Sequence, residues 1–269
     1  MDLEKDGFLS PDIAEWIELN RRANPRWFNL AYSLNRMAQR HLLSLAAKDD
    51  DLQEMLVALL YARGLTNFQG SVLLAERGHI VGARTLARSC FEDVFYLGAV
   101  QSAPSYYERL LHADRIIRKR LANVLLRLQQ PTAALNPTEA ALLNDFLATL
   151  PSELNGQPDQ ISKVASDAGL ADIYNTYYRG LSNDAAHPSV ISLGRHMDDQ
   201  SNRFVWGPEP DQVGETIEAA CTAVFFLITG IRLQRDEDAT QDPEFEALRG
   251  EHRALIKLMA DALDNQRTC

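Results

Sequence analysis

Along almost the whole chain, apolar residues return every three or four positions, the period of a helix buried on one face. That spacing predicts an all-α fold, a multi-helix bundle of about nine or ten helices. Ser10-Pro11-Asp12 offers an N-cap, a proline at the first helical position and an early acid, opening a short helix through Ile13, Trp16 and Ile17. From Arg26 to about Ala47, Trp27, Leu30, Leu34, Met37, Leu42 and Leu45 keep helical spacing, and Asp49-Asp50-Asp51 begins a helix running to about Arg77. Gly78 punctuates. The next helix spans Ile80 to about Gln101, and beyond Pro104 lies an amphipathic helix with Leu110, Leu111, Ile117, Leu121, Val124 and Leu128.

The second half is more broken. Asn136-Pro137-Thr138-Glu139 reads as a cap, a helix-opening proline and a capping-box glutamate, with a helix to about Leu150. The stretch from Ile161 to His187 reads as two helices broken near Gly169, and Pro188 forces His187 out of helical angles. A short irregular segment near 190–207 follows, in which SLGRHM and RFVW are expected to pair as a hairpin. Two helices close the chain, Val213 to about Arg235 and Glu244 to about Asp264. With no linker or repeat, we read one helical domain over 1–269: N-terminal helices 10–48 on a core of about 50–235, and a C-terminal helix at about 243–264.

Composition narrows the class. With 46% hydrophobic and 24% charged residues the chain can bury a sizeable core, which excludes wholesale disorder. The longest mostly apolar run, Ala219 to Ile231, falls short of the roughly 20 residues of a membrane span, and the first residues lack a signal pattern. A cytoplasmic protein with no membrane partner is therefore expected. Cys90, Cys221 and Cys269 are widely spaced, and the first two read as small buried hydrophobes. No Glu-x-x-His, Cys-x-x-Cys or His-x-x-x-His pair suggests a metal site, and no cofactor motif occurs, so the expectation is no metal and no cofactor.

Charge is uneven: residues 1–130 are net +2 and residues 131–269 net −12. The basic face formed by Arg115, Arg118, Lys119, Arg120 and Arg127 reads chiefly as solvated surface, since the acidic total opposes non-specific phosphate binding. The same acidity argues against DNA as a partner. The stretch VASDAGLADIYNTYY superficially suggests a helix-turn-helix, but carries Asp167 and Asp172 where a DNA reader needs cations.

Two constellations carry chemistry. Arg84, Arg88 and Glu92, spaced i, i+4, i+8, share one stripe of a helix otherwise apolar, beside Phe91 and Phe95. Either they form a surface ion-pair ladder or they are partly buried against another element. In YRGLSNDAAHPS, residues 178–189, His187 sits at a helix end, with Arg179, Ser182, Asn183 and Asp184 in the preceding turns. An imidazole there can titrate near neutral pH and serve as acid or base, or simply complement the helix dipole.

Taken together, ERGHIVGARTLARSCFEDVFYLG and, about 80 residues on, IYNTYYRGLSNDAAHPSV resemble the bacterial domain-of-unknown-function family 5677 over roughly residues 50–235. The resemblance singles out Arg84, Arg88, Glu92, Tyr178, Arg179, Leu181, Ser182, His187, Pro188 and Ser189. It implies a fold and a site but no reaction. More distantly, SNDAAH is similar to the Arg-polar-x-x-x-His motif of the helical HEPN superfamily, many of whose members are metal-independent ribonucleases of toxin–antitoxin and phage-defence systems. Asn183 and His187 match, while Ser182 stands in place of the arginine, a role left to Arg179, Arg84 or Arg88. That likeness implies His187, Arg179, Ser182 and Asn183 as catalytic residues, supported by Arg84, Arg88, Glu92, Tyr178, Asp184 and Ser189, with RNA as substrate and a homodimer as assembly. The alternative is a non-catalytic binding or regulatory module, in which the same residues form a structural network or hold a small anionic ligand.

Overall fold

The computed structural model describes residues 3–45, 51–103, 105–128, 135–151, 154–183, 189–198 and 203–267. The helices are α1 (Leu3–Asp6), α2 (Ile13–Ala23), α3 (Pro25–Leu43), α4 (Leu52–Glu76), α5 (Ile80–Ser102), α6 (Tyr106–Arg127), α7 (Pro137–Thr149), α8 (Ile161–Asp167), α9 (Ala171–Ile173), α10 (Arg179–Leu181), α11 (Val190–Gly194), α12 (Val213–Gln234) and α13 (Pro243–Arg267). A π-helical turn, Tyr174–Tyr178, joins α9 to α10, so residues 171–181 form one continuous rod. The all-α bundle is thus observed.

Local signals explain most boundaries. The Asp51 side chain accepts from Glu54 N at 2.9 Å to start α4, and Asn136 and Glu139 form the expected reciprocal capping box of α7. Gly169, at φ 71°, separates α8 from the rod. Gly78, at φ 69°, turns α4 back into α5; a Cβ there would lie 2.7 Å from the backbone nitrogen of Glu209, whose N–H donates to Gly78 O. Asp49 and Asp50 lie outside the described residues.

The core is built on the α4–α5 hairpin, across which α12 packs, with α3 closing the far side of α12 and α4. Phe28, Leu34, Tyr61, Phe68, Phe91, Phe95, Ile217 and Ile228 are all essentially excluded from solvent and belong to one contiguous cluster. The α4 backbone approaches α12 at Gly64, where a Cβ would sit 2.6 Å from Leu227 Cδ1. By length and composition α12 passes as a membrane span, although the 219–231 run alone fell short; in this molecule 72% of its most apolar window is buried within the bundle. An apolar helix hidden on all sides is what a bundle centre requires.

Two expectations change. The expected hairpin forms but is shorter: Met197–Asp198 pairs antiparallel with Arg203–Phe204, Met197 opposite Phe204, while Ser189 and Ser192 form a reciprocal capping box that turns Val190–Gly194 into α11. Serine at both box positions escaped a reading tuned to glutamate at the third. On α6, Leu111, Ile117, Leu121 and Val124 are exposed, as is Leu128 just past its end, while Ile116 and Ala122 are buried. The helix is tied from its polar side to the segment after α7: Lys119 Nζ donates to Leu154 O at 2.9 Å and Arg120 Nη2 to Gly156 O at 2.6 Å.

Candidate functional site

Of the α5 stripe, Arg88 and Glu92 face the rod 171–181 and Ser182 just past its end, while Arg84 turns to α12. Arg88 Nε donates to Ser182 Oγ at 2.8 Å, Nη2 donates to the Tyr178 hydroxyl, and Nη1 lies 3.0 Å from Glu92 Oε1. The Tyr178 hydroxyl donates in turn to Glu92 Oε1 at 2.7 Å, and the guanidinium carbon sits 4.4 Å above the Tyr178 ring centre. Ser182 Oγ donates back to Tyr178 O at 2.8 Å. Burial, and then the Glu92 carboxylate, push the Tyr178 phenol far above its usual range, which keeps it protonated as a donor. The Arg88 and Glu92 side chains are 20% and 23% exposed, so the pair is neither a surface ladder nor fully dry.

Aromatic packing sets this register. Phe95, fully buried, meets Tyr178 edge to face at 5.9 Å and Tyr174 at 6.2 Å, while Phe91 stacks on Tyr177 at 5.3 Å. The π-turn sends consecutive tyrosines to different partners: Tyr178 to Glu92 on α5, and Tyr177 to Glu218 Oε1 on α12 at 2.9 Å. Burial and Glu218 push the Tyr177 phenol up to about 12.

The other site candidates are spread around this network. Arg84, with a side chain 12% exposed, donates through Nε to Thr216 Oγ1 at 3.1 Å and through Nη2 to Glu215 Oε2 at 3.2 Å. Arg179 is exposed, its Nη1 3.5 Å from Asn175 Oδ1, and takes no part in the Arg88 hydrogen bonds. Ser189 Oγ donates to Asn183 O at 2.7 Å, linking the two residues that flank the segment 184–188. Asp184 and His187 lie outside the described residues.

Two polar groups escaped the sequence reading. Glu218 and His252, both about nine-tenths buried, approach at 3.5 Å, and Thr222 Oγ1 donates to Glu218 Oε1 at 2.9 Å. The signal available was a glutamate inside an apolar helix, which needs a partner. Asp93, next to Glu92 but turned toward α4, has a fully buried side chain that accepts from Arg63 Nη1 at 2.6 Å and Asn67 Nδ2 at 2.8 Å. Burial pushes its carboxyl up to about 6 against the pull of Arg63 and Asn67, and Glu92 adds to the rise. Burial prevails because the Arg63 side chain is 58% exposed and its charge is largely screened by water.

A carboxyl held above its unfolded value favours the folded state below that value and loses the advantage as pH rises through about 6. Wild type should therefore gain about 1.4 kcal/mol over Asp93→Asn between pH 7.5 and pH 5, read by urea unfolding at each pH. Parallel stability curves would place the carboxylate back in the ordinary range.

Fold and site define an all-α protein in which one helix lends an arginine and a glutamate to the tyrosine and serine of a π-turned rod. Residues 54–204, more than half of the chain, match the family model described as a family of unknown function (DUF5677), and the chain belongs to that family. Neither curated proteins nor solved structures provide a match.

Proposed function

We propose that this protein is a HEPN-like ribonuclease in which Arg88 stands in space for the arginine that the Asn183-x-x-x-His187 sequence lacks. The observation that carries the reading is the 2.8 Å bond from Arg88 Nε to Ser182 Oγ, which brings a guanidinium from another helix to the position where the motif arginine would stand. In this reading His187 takes the proton from a ribose 2′-hydroxyl as that oxygen attacks the adjacent phosphorus. The bond from phosphorus to the 5′-oxygen breaks, that oxygen takes a proton from water, and Arg88 steadies the charge on the phosphate. The products are a 2′,3′-cyclic phosphate and a 5′-hydroxyl end.

Purified wild type and His187→Ala are to be incubated with total RNA, with chelator and with added divalent metal. Cleavage by wild type in chelator, absent in a folded His187→Ala, supports the reading, and its pH profile should carry a limb near about 6.5. The cellular counterpart, a defence or toxin role, predicts growth arrest on overexpression that His187→Ala relieves. Intact RNA under every condition would sink the enzyme.

The second reading is a non-catalytic module. It is favoured by the closure of the network: all three guanidinium nitrogens of Arg88 already face acceptors in Ser182, Tyr178 and Glu92. A phosphate could take one of those places only by displacing its present partner.

A further inference from the structure

Between α3 and α4, with no residue of α5 or the rod in its wall, lies a cavity of about 230 Å³ lined by Tyr32, Asn35, Phe68, Gln69, Val72 and Glu76. Glu76 gives it a buried acid. The side chain is 3% exposed, yet the donors the chain supplies all fall on one oxygen: Arg21 Nη2 at 2.9 Å, Arg21 Nε at 3.2 Å and the Tyr32 hydroxyl meet Oε1. Among the described residues no donor meets Oε2. A carboxylate oxygen withdrawn from bulk water needs a donor, and the cavity that Glu76 lines is where one can enter. Burial, and then Glu76, push the Tyr32 phenol up to about 12, which keeps its proton on the oxygen and the charge on the carboxylate.

The charge balance lets that donor be a cation. Arg21 is shared by two carboxylates, Glu76 and Glu18 at 3.4 Å, so the three groups together carry one net negative charge, and 40% of the Arg21 side chain faces water. Arg77 is engaged instead with the Leu73 carbonyl at 3.0 Å. In the same wall Gln69 donates through Nε2 to Asn35 Oδ1 at 2.9 Å, which leaves Gln69 Oε1 as a second acceptor. The Tyr32 and Phe68 rings and Val72 supply the apolar part.

We propose that this cavity binds a short aliphatic primary ammonium, its N–H groups donating to Glu76 Oε2 and Gln69 Oε1 and its alkyl chain lying on Phe68 and Val72. The volume sets the length: it corresponds to roughly seven water-sized groups, so about four to six carbons behind the nitrogen fill it. An alcohol of the same shape brings a donor without the charge. A carboxylate of that length meets repulsion from Glu76, and a quaternary ammonium has no N–H to give.

The probe is n-butylammonium, titrated calorimetrically into the full chain at neutral pH beside 1-butanol, butanoate and butyltrimethylammonium. Butylammonium should bind, and each of the other three should be about tenfold weaker or more. Glu76→Gln should bring butylammonium down to the level of butanol. Arg21→Gln removes the cation that competes for the carboxylate, so it should strengthen butylammonium binding severalfold and leave butanol unchanged; a carboxylate that serves Arg21 alone predicts no gain. Leu73→Trp, at an exposed position of the cavity wall, should weaken every probe that binds. Circular dichroism verifies the helix content of each variant, and should Glu76→Gln fail to fold, the four probes on wild type and the Arg21→Gln gain decide the matter. Equal affinity for butylammonium and butanol overturns the proposal, as does absence of butylammonium binding by wild type at tens of millimolar, or weaker binding by a folded Arg21→Gln.

Discussion

Replacing Phe95 by alanine is expected to destabilise the protein by about 3–5 kcal/mol, the largest effect we anticipate from a single substitution. The ring is fully buried and touches two layers at once: it lies in the α5 face packed on the core and against both Tyr174 and Tyr178 of the rod. Its removal leaves a cavity that neither α5 nor the rod can close, since both are tied by hydrogen bonds elsewhere. The denaturation midpoint should fall with the slope unchanged, and the Arg88–Tyr178–Glu92 contacts should loosen together. Phe95→Leu, keeping most of the volume, should lose less than half as much. A loss below about 1 kcal/mol for Phe95→Ala would mean that the rod does not depend on α5 for its position.

Arg88→Ala should cost about 2–3 kcal/mol, less than the full price of breaking a buried pair because both partners keep a fifth of their surface in water. What it leaves behind is the Glu92 carboxylate with one donor, the Tyr178 hydroxyl. A double-mutant cycle with Glu92→Gln should return a coupling above about 1 kcal/mol; values near zero would make the pair an exposed ladder. The functional arm uses Arg88→Lys, which keeps the charge and loses the planar fork. If cleavage of RNA is found for wild type, that variant should fall about 10²-fold or more in rate, whereas a purely structural arginine would lower the melting temperature without touching the rate of the folded enzyme.

Helix periodicity and capping chemistry reach most of the fold: α3, α4, α5, α7, α12 and α13 start or stop within a few residues of their expected ends because their caps and glycines act locally. The stripe on α5 was legible for the same reason, as charges on an apolar helix require partners. That the partners lie within Tyr178–Ser189 is legible too, from the resemblance that pairs the two segments, and Arg88 and Glu92 do bond to Ser182 and Tyr178; the individual pairings are not. Ser182 and Tyr178 lie about 90 residues away, and no local rule joins them to Arg88. Arg179, nearer in sequence to the motif, faces solvent instead, because the rod turns Tyr178 and Leu181 inward. The exposed apolar face of α6 was also out of reach, since a hydrophobic pattern gives a face but not the neighbour that covers it.

The π-turn at Tyr174–Tyr178 acts as a phase shift in the rod. Five residues occupy a loop that an α-helix closes with four, so everything after it is rotated by roughly 100° relative to an unbroken helix. Without the extra residue, Ser182 would rotate away from Arg88. Chain length in this stretch is therefore as strict a specification as residue identity. A single residue gained or lost between Gly169 and Ser182 would detune the Arg88 contacts even where Tyr178 and Ser182 both survive, while the same change in the connection between α12 and α13 would leave them as they are.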